Sequence, residues 1–374
     1  MRNRRINLFF VIIISVLTLI LIFLPTGFEN PSILESTFRE KAIVLKVDNA
    51  DLQTHAVVTT GSQKLLMQIQ SGSFKGDTVS GYNILMGQKK IDKVFEKGDE
   101  VFVVLKINKS GDQIISARAD DYYRIHIELI LFGLFALFLI AFAGLTGFKA
   151  LLSFVFTALA IWKVLIPLFL KGYSPVPVAL VILFITTGVI ILLISGFSRK
   201  GLVAVCGSLA GIALTSFLAL LFGDWFRVPG TIMDFSETLL YSGFTQLKLT
   251  DIFLSGIFIS AAGAVMDVAM DIAAAQNELI EKKPGMGVRE LMLSGFNIAY
   301  PVIGTMTTTL LFAYSGGFIF IFMAFMAKGT PIDTIFNTNY IAGEVLNTLV
   351  GSFGLVLVAP ATAIIGGYVY TRKP

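Results

Sequence analysis

The feature that most constrains this chain is a succession of apolar runs, most of them about 20 residues long, the length of helix that crosses a bilayer. They are Ile6–Leu24, Ile125–Ala143, Leu151–Leu170, Val178–Phe197, Leu202–Phe222, Ile252–Ile280, Leu291–Tyr314 and Val350–Tyr370. Inside lipid only a helix or a closed barrel satisfies its own backbone groups. Soluble domains do not carry such runs repeatedly. With 55% hydrophobic and 14% charged residues, the chain reads as a polytopic α-helical membrane protein whose first partner is the lipid bilayer. The net charge of +4 is small, and basic residues flank the runs. They read as topology signals rather than as a nucleic-acid surface. The single cysteine, Cys206, excludes an internal disulfide and a zinc–cysteine cluster. Cys206 lies in an apolar run and is expected in the core. His55 and His126 are too scattered for a histidine metal site.

Arg2-Asn3-Arg4-Arg5 precedes the first run, which ends at Pro25. A signal peptide and an uncleaved helix are the two readings. The run is long enough to span, and no Ala-x-Ala cleavage pattern follows it. Residues 1–25 therefore read as an N-terminal transmembrane helix with its basic end in the cytoplasm of a bacterial cell.

Residues 26–124 differ in kind. Short alternating or β-branched runs, Lys41–Val47, Ala56–Thr60, Leu65–Ile69, Thr78–Leu85, Glu100–Ile107 and Gln113–Ala117, are separated by turn signals. The turns fall at Gly72, Lys75-Gly76-Asp77, Lys97-Gly98-Asp99 and Ser110-Gly111-Asp112. This pattern predicts a small extracytoplasmic β-barrel or sandwich, of OB-like type. No aromatic platform and no basic stripe of the kind nucleic acids need is present.

Residues 125–374 read as a multi-helix transmembrane domain of about seven spans or span-like segments. Gly144–Lys149 and Ser198–Gly201 read as cytoplasmic turns, and residues 223–250 as an external loop. Lys163 lies away from both ends of its run; it either snorkels or serves as counter-ion to an intramembrane carboxylate. Gly207-x-x-x-Gly211 permits close helix contact. Phe318–Ala327 is too short to span, Ile332–Leu349 is amphipathic, and Val350–Tyr370 is a good span. The Arg372-Lys373 tail places the C-terminus inside if residues 317–343 are re-entrant, and outside if they cross.

The run Ile252–Ile280 carries charge in its middle. Asp267 and Asp271 are four apart and so share a helix face with Gly256, Ser260, Gly263, Ala264, Ala274 and Glu278. An ionised carboxylate at mid-bilayer costs a few kcal/mol by insertion scales, so two on one face should point at protein, water, a proton or a cation. The bland alternative is two carboxylates hydrogen-bonded to neighbouring helices. The next run holds Ser294, Asn297, Tyr300, Pro301, Thr305, Thr307, Thr308 and Thr309. Pro301 cannot donate to the carbonyl of Asn297. A tight turn at Pro284–Gly287 joins the two runs, so they are expected to pack antiparallel with Asp267 and Asp271 opposite Asn297 to Thr308. Carboxylates, hydroxyls and a bare carbonyl suit a proton or a hard cation. Which metal, if any, is not specified by these residues, and no other cofactor is implied.

These helices carry a resemblance. Gly263-Ala-Val-Met-Asp-Val-Ala-Met270, Ser294-Gly-Phe-Asn-Ile298, Ile303-Gly-Thr-Met-Thr307 and Leu310-Leu-Phe-Ala-Tyr-Ser-Gly316 resemble the YibE/F family of bacterial integral membrane proteins. The β region after one helix fits the same family. The resemblance implies a multi-pass membrane protein for which transport is the usual proposal, and no established catalytic site. It supports Asp267 as the principal acidic position. It also raises the expectation of a homo-oligomer or a paralogous partner. The chain departs from the family pattern where members carry a small polar residue in place of Asp271, a charged pair near Tyr300-Pro301 and an Asn near Thr308.

Three readings follow. In the first, a transporter or channel, Asp267 is the primary proton or cation acceptor and Asp271 the second carboxylate. Asn297, Thr305 and Thr308 are neutral oxygen ligands. Two close carboxylates repel, so one of them exchanges a proton for a cation as the site changes sides. The second, a membrane aspartyl enzyme, needs carboxylates converging from different helices, and here both ride one helix about 6 Å apart in rise. No enzyme is therefore expected. In the third, a receptor or assembly protein, the β domain binds a partner and the helices anchor it.

Overall fold

A computed structural model describes residues 2–29, 37–108 and 113–372 of the chain. The expected turn at Ser110-Gly111-Asp112 and the basic Lys373 lie outside the described residues. The chain divides into two compact units, Gly27–Phe138 and Met1–Thr26 with Leu139–Pro374.

The first unit is the expected β-barrel. Its strands are β1 (Thr37–Asp48), β2 (Leu52–His55), β3 (Val58–Ile69), β4 (Thr78–Met86), β5 (Glu100–Ile107) and β6 (Ile114–Tyr122). Pairing runs β1-β5-β6-β4-β3, and β1 also pairs with β3, which closes five strands into an OB-like barrel. β4 and β6 form the one parallel contact among the described strands; β2 extends β3 as a hairpin. The alternation seen in sequence turns one side of each strand inward. Val101, Val103 and Leu105 of β5 meet Ala42, Val44, Leu65, Met67, Ala117 and Ala119 in the barrel core. Phe95, from the segment before β5, is buried with them. Two runs expected as separate strands, Ala56–Thr60 and Leu65–Ile69, fall together on β3, which takes in the first from Val58 onward. The direction change falls earlier, at Ala56 with φ 53°.

The second unit is helical. It contains α1 (Arg2–Phe23), α2 (Ile125–Ala160, of which residues 139–160 belong here), α3 (Ile166–Leu170), α4 (Pro175–Ser195), α5 (Arg199–Phe226) and α6 (Ser236–Tyr241). α7 (Leu249–Lys282), α8 (Val288–Ser315), α9 (Ile319–Ala327), α10 (Ile332–Asn337) and α11 (Asn339–Thr371) complete it. Among the described residues, seven helical stretches are long and apolar enough to cross a membrane. α5, α7 and α11 form the centre, where Phe258, Val265, Val268, Ile212, Val358 and Ala359 are almost fully buried.

The glycine spacing explains why α5 and α11 pack so closely. Gly207 faces Thr362, and Gly211 faces Val358 and Val265. Gly354 of α11 reciprocates against Thr215. In lipid no hydrophobic force drives helices together, so contact depends on such close-fitting seams. α1 lies against α4: Ile14 packs with Val189 and Leu193, and the Asn7 side-chain Oδ1 accepts from the Phe197 backbone N–H at 2.9 Å.

One expectation holds with added detail, and two change. First, the runs Ile125–Ala143 and Leu151–Leu170 are two helices that meet at a non-helical Gly144, with φ 55° and ψ −129°, and the second continues through a π-helical turn at Ile161–Leu165. Residues 139 and 147 would stand about 12 Å apart along a straight helix. Instead Gly147 meets the Leu139 carbonyl, with no room for a Cβ, so the chain bends sharply at the position expected as a turn. Second, the amphipathic segment and the last span are not separate: α11 runs unbroken from Asn339 past Pro360 to Thr371. Asn339, Glu344 and Asn347 resembled the polar end of a segment, but they stand on the first turns of a spanning helix. Residues 317–343 hold α9 and α10, each too short to span. Third, the loop 223–250 is folded. Val228 is buried, the Gly230 N–H donates to Thr250 Oγ1 at 3.2 Å, and Ser236 Oγ donates to the carbonyls of Met233 and Thr231. Cys206 is partly buried rather than fully in the core.

Candidate functional site

α7 is two-faced. One face, with Phe258, Ala261, Ala262, Val265, Val268, Ala269, Ile272 and Ala273, is buried in the helical core. The other carries Gly256, Ser260, Gly263, Asp267, Asp271 and Glu278, all exposed on this chain. Space beside Gly256 and Gly263 is open. Asp267 and Asp271 thus stand four apart, as expected, but they point away from the chain's own core; only the first turns of their face, at Gly256 and Ser260, border a cavity. Among the described residues neither carboxylate makes a hydrogen bond or an ion pair.

α8 is built the same way. Leu291, Gly295, Ala299 and Leu310 face inward. Asn297, Pro301, Gly304, Thr305 and Thr308 are exposed. α7 and α8 are joined by the turn after Lys282 and run antiparallel. Gln276 ties them near that turn, its Nε2 donating to the carbonyls of Leu291 and, on α11, Ala363, each at 3.0 Å. The Thr305 hydroxyl donates back to Pro301 and Val302 at 3.2 and 3.1 Å, and Thr308 to Gly304 at 3.5 Å. With the donor used inside the helix, each hydroxyl oxygen keeps acceptor capacity outward. The predicted oxygen ligands are therefore on an exposed face of the helix adjoining the acidic one.

Lys163 does not join them. It lies in the π-helical turn with its Nζ 5.4 Å from the centroid of the Trp162 ring, and it makes no ion pair with Asp267 or Asp271. Among the described residues no group of three or more His, Cys, Asp or Glu side chains is placed to hold a metal ion.

Sequence reasoning passed over a second polar cluster. The Tyr314 hydroxyl donates to Ser260 Oγ at 3.0 Å. Ser260 reaches Asn347 Oδ1 at 3.4 Å, and Asn347 Nδ2 reaches Glu344 Oε2 at 3.5 Å. This chain of groups links α8, α7 and α11 along a cavity of about 440 Å³ whose far wall is the folded loop at Gly230, Met233 and Ser236. The available signal was the spacing of Glu344 and Asn347, three apart on one helix face. It was obscured because those residues were assigned to a segment outside the span.

Two family patterns match the chain. Residues 131–372 match the YibE/F-like protein family, and residues 37–122 match the YibE/F family N-terminal domain. No curated protein and no solved structure shows a match.

Proposed function

Because the chain belongs to the YibE/F family, we propose that it is a bacterial cell-membrane transporter or channel in which Asp267 takes up a proton or cation. The observation that carries this reading is the uncompensated Asp267–Asp271 pair on the open face of a 34-residue apolar helix. An aspartate at the centre of a membrane helix costs about 3 kcal/mol even on insertion scales. Leaving two of them to lipid has no physical support, so in the assembled protein this face meets water or protein. A second copy, or a paralogous partner, supplies the other wall of an aqueous path. Asn297, Thr305 and Thr308 lie on the adjoining helix as neutral oxygens along it. The β-barrel stands outside the cell in this reading, and the chain performs no catalysis.

The test is flux in proteoliposomes holding a pH-sensitive dye, under imposed proton, Na⁺ and K⁺ gradients. Wild type is expected to conduct or couple, and Asp267→Asn to abolish the signal with folding intact. Flux that survives Asp267→Asn unchanged would remove this site from the mechanism.

A receptor or assembly role remains as second reading, on one observation. A surface cavity of about 540 Å³ on the barrel is lined by residues of β1, β3 and β4, among them Lys46, Ser62, Lys64 and Tyr82. OB-type barrels use a comparable face for ligands. This reading requires that Asp267→Asn be tolerated in the cell.

A further inference from the structure

Two cavities flank α11, and Glu344 lines both. On one side is the 440 Å³ space with Ser236, Ser260 and Asn347 in its walls. On the other is a groove of about 640 Å³ between α8, α9 and α11, almost wholly apolar, with Phe318, Phe322, Met323, Met326 and Leu349 along it. Neither lining contains a Lys, Arg or His. Asn347 is a weak, neutral partner for the carboxylate at 3.5 Å. Glu344 is half-buried, with no basic partner among the described residues, which leaves room for a cation from elsewhere.

The depth is also informative. Glu344 stands near the start of α11, level with the folded loop that borders the 440 Å³ cavity, whereas the groove is lined by α9 and by the apolar side of α8. One carboxylate at the helix end and an apolar groove alongside the helix match the arrangement of a membrane amphiphile. Buried carboxylates are retained where they are paired or hydrogen-bonded, and an ammonium group supplies both. A hydrocarbon chain fills an apolar groove that water would leave poorly solvated.

We infer that this chain binds an amphiphile with an ammonium head and a hydrocarbon tail, the head at Glu344 and the tail in the groove between α8, α9 and α11. Asp267 and Asp271 do not line the groove.

The experiment uses full-length protein in maltoside micelles with a dodecylammonium probe carrying a diazirine in its tail. After photolysis, labelled residues are mapped by mass spectrometry. The expected result is saturable labelling confined to the groove segments of α8, α9 and α11. Excess dodecylammonium should compete, and dodecanol and dodecanoate should not. Glu344→Gln should weaken labelling roughly tenfold or more, as loss of a hydrogen bond to a charged group does. Leu349→Trp, at an exposed position, should block the groove without disturbing the core. Asp267→Asn should leave labelling unchanged. Competition by phosphatidylethanolamine would identify the natural source as a bilayer lipid, and its failure a free lipophilic amine. Labelling spread evenly over the lipid-facing helices, or equal in wild type and both groove variants, would overturn the inference.

Discussion

Gln63 holds Phe95 by both polar groups of its backbone: Nε2 donates to the Phe95 carbonyl at 2.7 Å, and Oε1 accepts from the Phe95 N–H at 3.0 Å. The same amide also bonds Asn49 at 2.8 Å and Asn83 at 3.2 Å, so a side chain with no exposure has its hydrogen-bonding capacity filled. A segment without strand structure is thereby fixed across the barrel, with its aromatic ring in the core. Gln63→Leu removes the partner of two buried backbone groups. Each such orphan costs about 1–3 kcal/mol, so the barrel is expected to lose several kcal/mol of stability. Hydrogen exchange of the β3 and β5 amides in the full-length protein checks this; unchanged protection would show that water replaces the amide.

The barrel should be acid-sensitive in a defined direction. The Lys41 ammonium, bonded to Glu100 at 2.6 Å, holds that carboxyl below the usual range. Burial pushes the Asp121 carboxyl up, but Lys93 at 2.7 Å, the Tyr122 amide and Arg124 outweigh it, and the group also sits low. A folded-state value below the unfolded one contributes stability above the ordinary carboxylate range, near pH 4, and that stability is lost as pH falls through the lowered values. Lys93→Met is expected to move the acid midpoint of barrel unfolding to higher pH. Far-UV circular dichroism against pH measures it; an unmoved midpoint would mean that Asp121 contributes nothing.

Gly207 leaves no space for a larger residue, because its neighbour is the Thr362 side chain across the α5–α11 seam. Gly207→Val is expected to cost about 1–3 kcal/mol by overpacking and to lower the thermal midpoint in detergent. Thr362→Ala in the same chain should recover part of the loss. Equal midpoints for wild type and Gly207→Val would show that the seam yields freely.

The open acidic face predicts a covered one in the membrane. Gly263→Cys, in a Cys206→Ala background, should form disulfide-linked dimers on mild oxidation if a second copy supplies the wall. Phe142→Cys, on an 88%-exposed position outside the stripe, is the control and should not. Equal cross-linking at both positions would indicate random collision rather than an interface.

Much of the fold was legible because its signals are local. Apolar length determined the helices, since lipid leaves no other backbone solution for such runs. Alternation in Val101, Val103 and Leu105 determined an inward face, because strand side chains must alternate. The four-residue spacing of Asp267 and Asp271 determined that they share a helix face. The barrel's closure was less explicit: β1 pairs with both β3 and β5, and only the three-dimensional path brings those strands together.

What tertiary structure alone decided is direction and neighbourhood. A helical stripe has no sign in sequence; packing of the Val265, Val268 and Ile272 face against the core turned Asp267 and Asp271 outward. Lys163 was within reach of either fate by chain position, and the π-helical turn set it over Trp162. Glu344 and Asn347 joined a hydrogen-bonded cluster in a cavity wall because Tyr314 and Ser260, far away in the chain, were brought to them. Periodicity fixes which residues travel together on an element. Which way that element turns depends on the summed burial of its other face, and that sum exists only once the helices have packed.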